Sequence, residues 1–293
     1  MEYTERYSEY LALVQSRIER LSDCFLPEEQ TTAQAARYSL LAGGKRVRGI
    51  LVLAACDLLG GDVDKAADLA AAVEMLHCYS LIHDDLPCMD NDDFRRGRPS
   101  CHKAYGETTA LLAGDLLLTE ACEVVLSAAL PAEAKCRAAR ALACGAGSSG
   151  MVFGQEIDLY YETRQPNAEQ LRLVHRNKTG ALINAAAQMG AAAAGGTCED
   201  EQALEAYAYD LGLVFQIVDD VLDVTATAED LGKPIGSDEE NGKTTFVTLY
   251  GAEVCMQMAA DMTEAACTAL TARYGARADF LCQLARSLVH RNH

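Results

Sequence analysis

The sequence has no tryptophan and only 6 prolines in 293 residues, and aromatic residues make up just 6% of it. So few helix breakers, with alanine and leucine recurring throughout, disfavour an all-β fold or a disordered chain and favour helix. Positive charge is scarce as well: 25 Lys and Arg stand against 43 Asp and Glu, a net charge of −18. A nucleic-acid binder presents a cationic face, so no nucleic-acid partner is expected. No uninterrupted apolar run reaches the roughly 18 residues of a membrane span. Residues 110–130 come nearest, and Asp115, Glu120 and Glu123 interrupt them. The start, Met1-Glu2-Tyr3-Thr4-Glu5, lacks the basic residues and apolar core of a secretion signal. The expectation is a soluble, cytoplasmic protein with no stable membrane insertion. Twelve cysteines are present, but no two form a C-x-x-C pair. They are expected to stay reduced and to pack as small hydrophobes rather than to form disulfides or a zinc cluster.

What the chain does have is apolar helical periodicity. It predicts helices over residues 7–21, 33–41, 50–59, 64–83, 108–130, 132–151, 154–161, 168–194, 201–224, 249–274 and 276–290. A loop-rich stretch at 225–245 carries Gly232, Pro234, Gly236 and Gly242. No run alternates in the manner of a strand, and no linker or repeat divides the chain. One all-α domain spanning residues 1–293 is the economical reading.

Two stripes of aspartate interrupt this pattern. On the helix ending at Asp84-Asp85, His77, Ser80 and Asp84 share a narrow face at spacings i, i+3 and i+7. Pro87 breaks that helix and lets the chain return Asp90 beside the pair. Downstream, Gln216, Asp219, Asp220 and Asp223 fall within roughly a 100° sector of an otherwise apolar helix, from the 3.6-residue period. Carboxylates grouped among apolar residues repel one another and are costly to desolvate without counter-charge. Such hard oxygen donors suit Mg²⁺, which binds a few carboxylates together with phosphate oxygens. The scarce cations gather at glycine-marked loops: Lys45, Arg46 and Arg48 after Gly43-Gly44; Arg95, Arg96 and Arg98 around Gly97; Lys178 before Thr179-Gly180; and Lys233 after Gly232, with Lys243 beyond. Arginine in such loops matches phosphate oxygens bidentately, so these read as anion sites.

This ordered set of motifs resembles the signature of the trans-type isoprenyl diphosphate synthases, and most resembles the bacterial farnesyl type. Four residues separate Asp85 from Asp90, the longer spacing of bacterial farnesyl and plant-like geranylgeranyl synthases. One departure is Gly49, where the family usually has proline. The resemblance implies an antiparallel helical bundle around a deep central cavity, usually a homodimer, with the two aspartate motifs across its mouth. It implies that Asp84, Asp85, Asp90, Asp219, Asp220 and Asp223 gather three Mg²⁺ around an allylic diphosphate. Arg95, Lys178, Thr179, Gln216 and Lys233 match positions that hold this same diphosphate. Lys45, Arg48, His77 and Arg96 match those that hold isopentenyl diphosphate, and Lys243 matches a loop residue that closes over the site. Catalytic weight falls on Asp84, Asp85, Asp219, Lys178 and Lys233. In the implied reaction the allylic C–O bond ionises, the double bond of isopentenyl diphosphate attacks the cation, and the bound diphosphate removes the proton. No side chain, His83 included, needs to act as base.

For product length, Ser80 lies one turn below Asp84 and Tyr79 precedes it. A bulky side chain there acts as a floor, because a packed wall yields little to extra methylenes. The pair resembles the bacterial farnesyl type, so the expected product is C15, made from dimethylallyl and geranyl diphosphate. The alternatives are a geranylgeranyl diphosphate synthase, a class I terpene cyclase (disfavoured by the second diphosphate site), and a non-catalytic partner subunit of a prenyl synthase.

Overall fold

A computed structural model describes residues 2–225 and 244–290. Its contacts divide the chain into two compact units, Met1–Arg140 with Ala192–Gly195, and Ala141–Ala191 with Gly196–His293. Both are built from α-helices. Among the described residues no helix is long and apolar enough to cross a membrane, and all twelve cysteines are free thiols.

The first unit is organised around α4 (Val63–Asp84). Asp62 caps its start, accepting from the backbone N–H groups of Asp64 and Lys65 at 3.1 and 3.3 Å. Between Ala66 and Ile82 most of this helix is buried, and its many alanines let neighbours approach closely. Helices α1 (Tyr3–Phe25), α2 (Thr31–Leu40), α3 (Val47–Leu58) and α6 (Glu107–Ser127) pack on it. The predicted helices over 7–21 and 50–59 are thus longer or begin earlier than periodicity indicates, since fraying polar ends carry no apolar signal.

No strand is predicted, yet Phe94–Arg95 pairs antiparallel with Arg98–Pro99, in the register Phe94 to Pro99 and Arg95 to Arg98. The two turn residues, Arg96 and Gly97, have φ of 53° and 73°. Positive φ at both central positions is what a two-residue hairpin turn demands. Strands of two residues each are too short to leave an alternation in the sequence. The short helix α5 (Cys101–Tyr105) leads from this hairpin to α6.

The second unit holds α8 (Met151–Tyr161), α9 (Ala168–His175), α11 (Cys198–Thr225), α12 (Phe246–Tyr250), α13 (Ala252–Tyr274) and α14 (Asp279–Val289). Helices α7 (Ala132–Ala146) and α10 (Ala181–Ala194) each contribute to both units. The apolar side of α11, with Val214, Ile217, Val218 and Val221, forms a core with Leu171, Phe246, Cys255 and Val289. Burying that side fixes the rotation of α11 and so the direction of its polar residues. The continuous helix predicted over 168–194 is instead α9, a π-helical turn at Arg176–Gly180, and α10.

Candidate active site

In the first unit the site begins where α4 stops. Asp85 caps the helix end, and the turn that follows brings the Asp90 N–H to within 2.9 Å of the Asp84 carbonyl. The predicted return of Asp90 to the aspartate pair is therefore realised through the backbone. Asp84 is half-buried, Asp90 exposed, and Asp85 only 2% exposed. Arg95 supplies the counter-charge that Asp85 requires: Nε donates to Oδ1 at 2.9 Å, and Nη2 bonds the same oxygen. Arg95 Nη2 also donates to Asp92 at 2.9 Å. Burial raises the Asp85 pKa and Arg95 opposes that rise.

Four arginines of this unit act electrostatically on His77. Arg96, across the hairpin turn, donates to the Gly43 carbonyl at 2.5 Å. Burial holds the His77 pKa well below the ordinary histidine value, and the charges of Arg48, Arg96, Arg46 and Arg95 push it the same way. The imidazole is therefore held neutral, mainly by burial and in part by the field of these arginines. Burial likewise lowers Arg48, opposed by Glu74 and assisted by Arg96; it also lowers Arg96. Arginine remains charged throughout. Lys45 is exposed at the start of this cluster. Arg98 departs from the group, its guanidinium lying 5.5 Å from the Tyr38 ring centroid. A site that concentrates positive charge in a chain of net charge −18 is suited to a polyanion.

In the second unit, α11 presents Gln216, Asp219 and Asp223 half-buried and Asp220 buried. Asp220 Oδ2 accepts the Phe246 N–H at 2.8 Å, tying α11 to the start of α12. Lys178 and Thr179 lie on the π-turn, a distortion that recurs at functional sites. Gly154 makes room for it: a Cβ there would sit 2.0 Å from the Lys178 nitrogen. Arg176 stacks on Tyr209 of α11, 3.5 Å from the ring centroid, and holds the turn's other end. Thr179 Oγ1 donates to Gln216 Oε1, and Lys178 Nζ lies 2.5 Å from Asp158 Oδ2. Lys178, Gln216, Asp220 and Asp158 line a cleft of about 150 Å³. Lys233 and Lys243 lie outside the described residues.

Within the first unit Arg95 pairs with Asp85 and Arg96 reaches the Gly43 carbonyl, while within the second Lys178 and Thr179 share a turn and Thr179 bonds Gln216. Sequence reasoning missed three acidic partners, Glu74, Asp92 and Asp158. Two of them left a faint signal. Glu74 is the one acidic residue in the apolar run from Leu69 to Leu81, and Asp158 follows Gln155 at helical spacing on α8. His83 has a structural place, its Nε2 2.9 Å from the Leu111 carbonyl. Among the described residues no three His, Cys, Asp or Glu side chains form a ready-made metal centre.

These features match known proteins. The family model for polyprenyl synthetase fits residues 29–275. The chain belongs to the polyprenyl synthetase family. Membership makes it a head-to-tail prenyl diphosphate synthase, a transferase of isoprenoid biosynthesis. It is 50% identical over 240 residues to geranylgeranyl pyrophosphate synthase 3, chloroplastic, of Arabidopsis thaliana, an alignment covering 80% of this chain and 67% of that one. Among solved structures it is similar to a geranyltransferase from Legionella pneumophila, with a TM-score of 0.88 and 38% identity over 99% of this chain and 97% of that one. A Helicobacter pylori geranyltransferase complexed with magnesium and isoprenyl diphosphate gives a TM-score of 0.81 and 34% identity, covering 95% of this chain and 97% of that one.

Proposed function

We propose that the chain, acting as one synthase domain over residues 1–293, adds isopentenyl diphosphate to allylic diphosphates and releases mainly geranylgeranyl diphosphate. The observation that carries the chemistry is the ion pair of Arg95 with Asp85 where α4 ends, with the charges of Arg48, Arg96 and Arg46 acting on the buried His77 of the same helix. Lys45, Arg48, His77 and Arg96 hold the diphosphate of isopentenyl diphosphate; the neutral imidazole donates a hydrogen bond without adding charge. Arg95, Lys178, Thr179, Gln216 and Lys233 hold the allylic diphosphate, and Lys243 serves the closed state. Fixed cations and N–H or O–H donors stabilise the charge that develops on the departing diphosphate.

The donor set fits Mg²⁺. Asp84 with Asp90, and Asp219 with Asp223, offer only hard carboxylate oxygens and retain exposure to solvent. A metal that bridges protein and substrate oxygens needs no closed protein cage. Asp85 and Asp220 complete the two sets, and three ions are proposed. Bound Mg²⁺ would neutralise charge on the leaving diphosphate.

The sequence pattern points to C15, but relatives 44–51% identical to this chain are named geranylgeranyl pyrophosphate synthases. That favours C20. The C15 reading keeps the support of Tyr79, which is 8% exposed and packs edge-on against His83 with ring centroids 5.5 Å apart. A homodimer is proposed as well, and the exposed leucines of α6, Leu111, Leu112 and Leu126, are available to such an interface.

Product chromatography tests this reading. Purified protein with labelled isopentenyl diphosphate, dimethylallyl diphosphate and Mg²⁺ is expected to give chiefly C20, and Tyr79→Ala to lengthen the product further. Accumulation of C15 alone would restore the farnesyl assignment; no prenyl diphosphate at all would refute the synthase reading.

A further inference from the structure

Glu74 is an anomaly on α4. It is 2% exposed amid apolar neighbours, where an ionised carboxylate is costly unless paired and hydrogen-bonded. Its two oxygens have separate partners. Oε1 accepts the backbone N–H of Gly49 at 2.9 Å. Oε2 lies 3.5 Å from Arg46 Nη1, both side chains being almost wholly buried. Arg46 adopts a left-handed backbone, φ 49°, immediately before α3, and its Nη2 donates to the Leu40 carbonyl at 2.5 Å. Gly49 belongs to the first turn of α3, where a carboxylate satisfies an otherwise unbonded N–H and complements the helix dipole.

The contact uses a backbone N–H that residue 49 has because it is not proline. Proline, the residue expected there from the family resemblance, has no N–H to give. Any Cβ at this position would sit 2.8 Å from Val14 Cγ1, 3.1 Å from the Ala70 carbonyl and 3.2 Å from Glu74 Cγ. Between the two ends of this link lies Arg48, whose Nε is buried without a hydrogen-bond partner among the described residues. His77 stands one helical turn after Glu74 on α4. A single carboxylate thus joins α4 to the start of α3, the two segments that carry Arg48 and His77, and offsets the mutual repulsion of the arginines beside it.

We propose that Glu74, acting through the Gly49 N–H and Arg46, is a positioning residue that sets Arg48 for the diphosphate of isopentenyl diphosphate. This rests on the assignment of Arg48 and His77 to that substrate. Loss of the carboxylate lets the first turn of α3 shift, and with it Arg48, while the groups assigned to the allylic diphosphate keep their own supports.

Steady-state kinetics with each substrate varied in turn tests this on Glu74→Gln, Glu74→Asp, Gly49→Pro and, as reference, Arg48→Ala. Glu74→Gln is expected to raise the KM for isopentenyl diphosphate about tenfold and to leave kcat and the allylic KM within about twofold. Glu74→Asp should recover part of the loss, and Gly49→Pro should shift the same KM in the same direction by less. An unchanged KM for isopentenyl diphosphate in Glu74→Gln, or a fall in kcat with both KM values unaffected, would reduce Glu74 to a staple of the fold and overturn the proposal. Should Glu74→Gln fail to fold, the same split read on Glu74→Asp, which keeps the charge but draws it back from Gly49 and Arg46, decides. If Arg48→Ala raises this KM while the Glu74 and Gly49 variants do not, the positioning role alone fails. If Arg48→Ala leaves it unchanged, the underlying site assignment falls and the proposal falls with it.

Discussion

In the first unit three residues other than glycine hold a left-handed backbone, Arg46, Asn91 and Arg96, and all three lie in the loops around its cationic cluster. The described residues of the second unit contain none, and the deviation there is a π-turn set between two α-helices. The two devices have different energetics. A left-handed side-chain-bearing residue costs on the order of 1–3 kcal/mol and persists only where its surroundings over-determine it. For Arg46, its own ion pair with Glu74 provides that determination, and beside Arg96 the pair of Arg95 with Asp85 does so. The π-turn is held by close packing instead, at Gly154 on one side and between Gly180 and Gly212 on another. Charge pairing thus ties binding to stability in the first unit, whereas shape ties binding to packing in the second.

The largest expected effect removes what both regions serve. Asp84→Ala and Asp219→Ala should each lower kcat by at least on the order of 10²–10³, the loss typical of one preorganised electrostatic group. Withdrawing Mg²⁺ with a chelator should abolish turnover while far-UV circular dichroism stays the same. Full activity in chelator would contradict the metal assignment.

Next comes a stability contrast. Arg95→Ala leaves Asp85 buried without its cation and should cost about 3 kcal/mol in urea unfolding. Lys178→Ala breaks a pair whose side chains are 28% and 23% exposed, and should cost about 1 kcal/mol or less. Equal losses would erase the distinction between the two regions.

Much of this was legible before any coordinates. The 3.6-residue period alone placed Gln216, Asp219, Asp220 and Asp223 on one sector and His77 in line with Asp84. The π-turn was not legible, because one extra residue in a turn leaves the apolar pattern on either side intact. Nor was the hairpin, whose strands are shorter than one period of alternation. Glu74 and Asp158 went unassigned because an acid outside a motif carries no signal of its role until its partner, distant in sequence, is seen; Asp92 is hidden in the acidic run from Asp90 to Asp93. The Tyr79-Ser80 pair and the named relatives point to different product lengths, C15 and C20, and a cavity floor depends on side chains from several helices.

A smaller effect probes the packing device. Gly154→Ala puts a methyl group against the backbone of Lys178, and overpacking of about 1–3 kcal/mol at the site should lower kcat/KM for the allylic substrate about tenfold. The KM for isopentenyl diphosphate should hold steady. The smallest effect concerns His77. Because its folded pKa is depressed, the unfolded chain takes up the proton first on acidification. Stability from this group is therefore complete above the ordinary histidine range and declines as pH falls below about 6.5. His77→Gln should flatten that part of the urea-midpoint profile; an unaltered slope would mean that the imidazole is not held neutral.

The central claim is that Arg48 and Lys178 serve different substrates, and crossed kinetics on the two variants tests it most directly. With each substrate varied in turn, Arg48→Ala is expected to raise the KM for isopentenyl diphosphate and spare the allylic KM. Lys178→Ala should impair use of the allylic diphosphate and spare the KM for isopentenyl diphosphate. The account is contradicted if both variants weaken the same substrate.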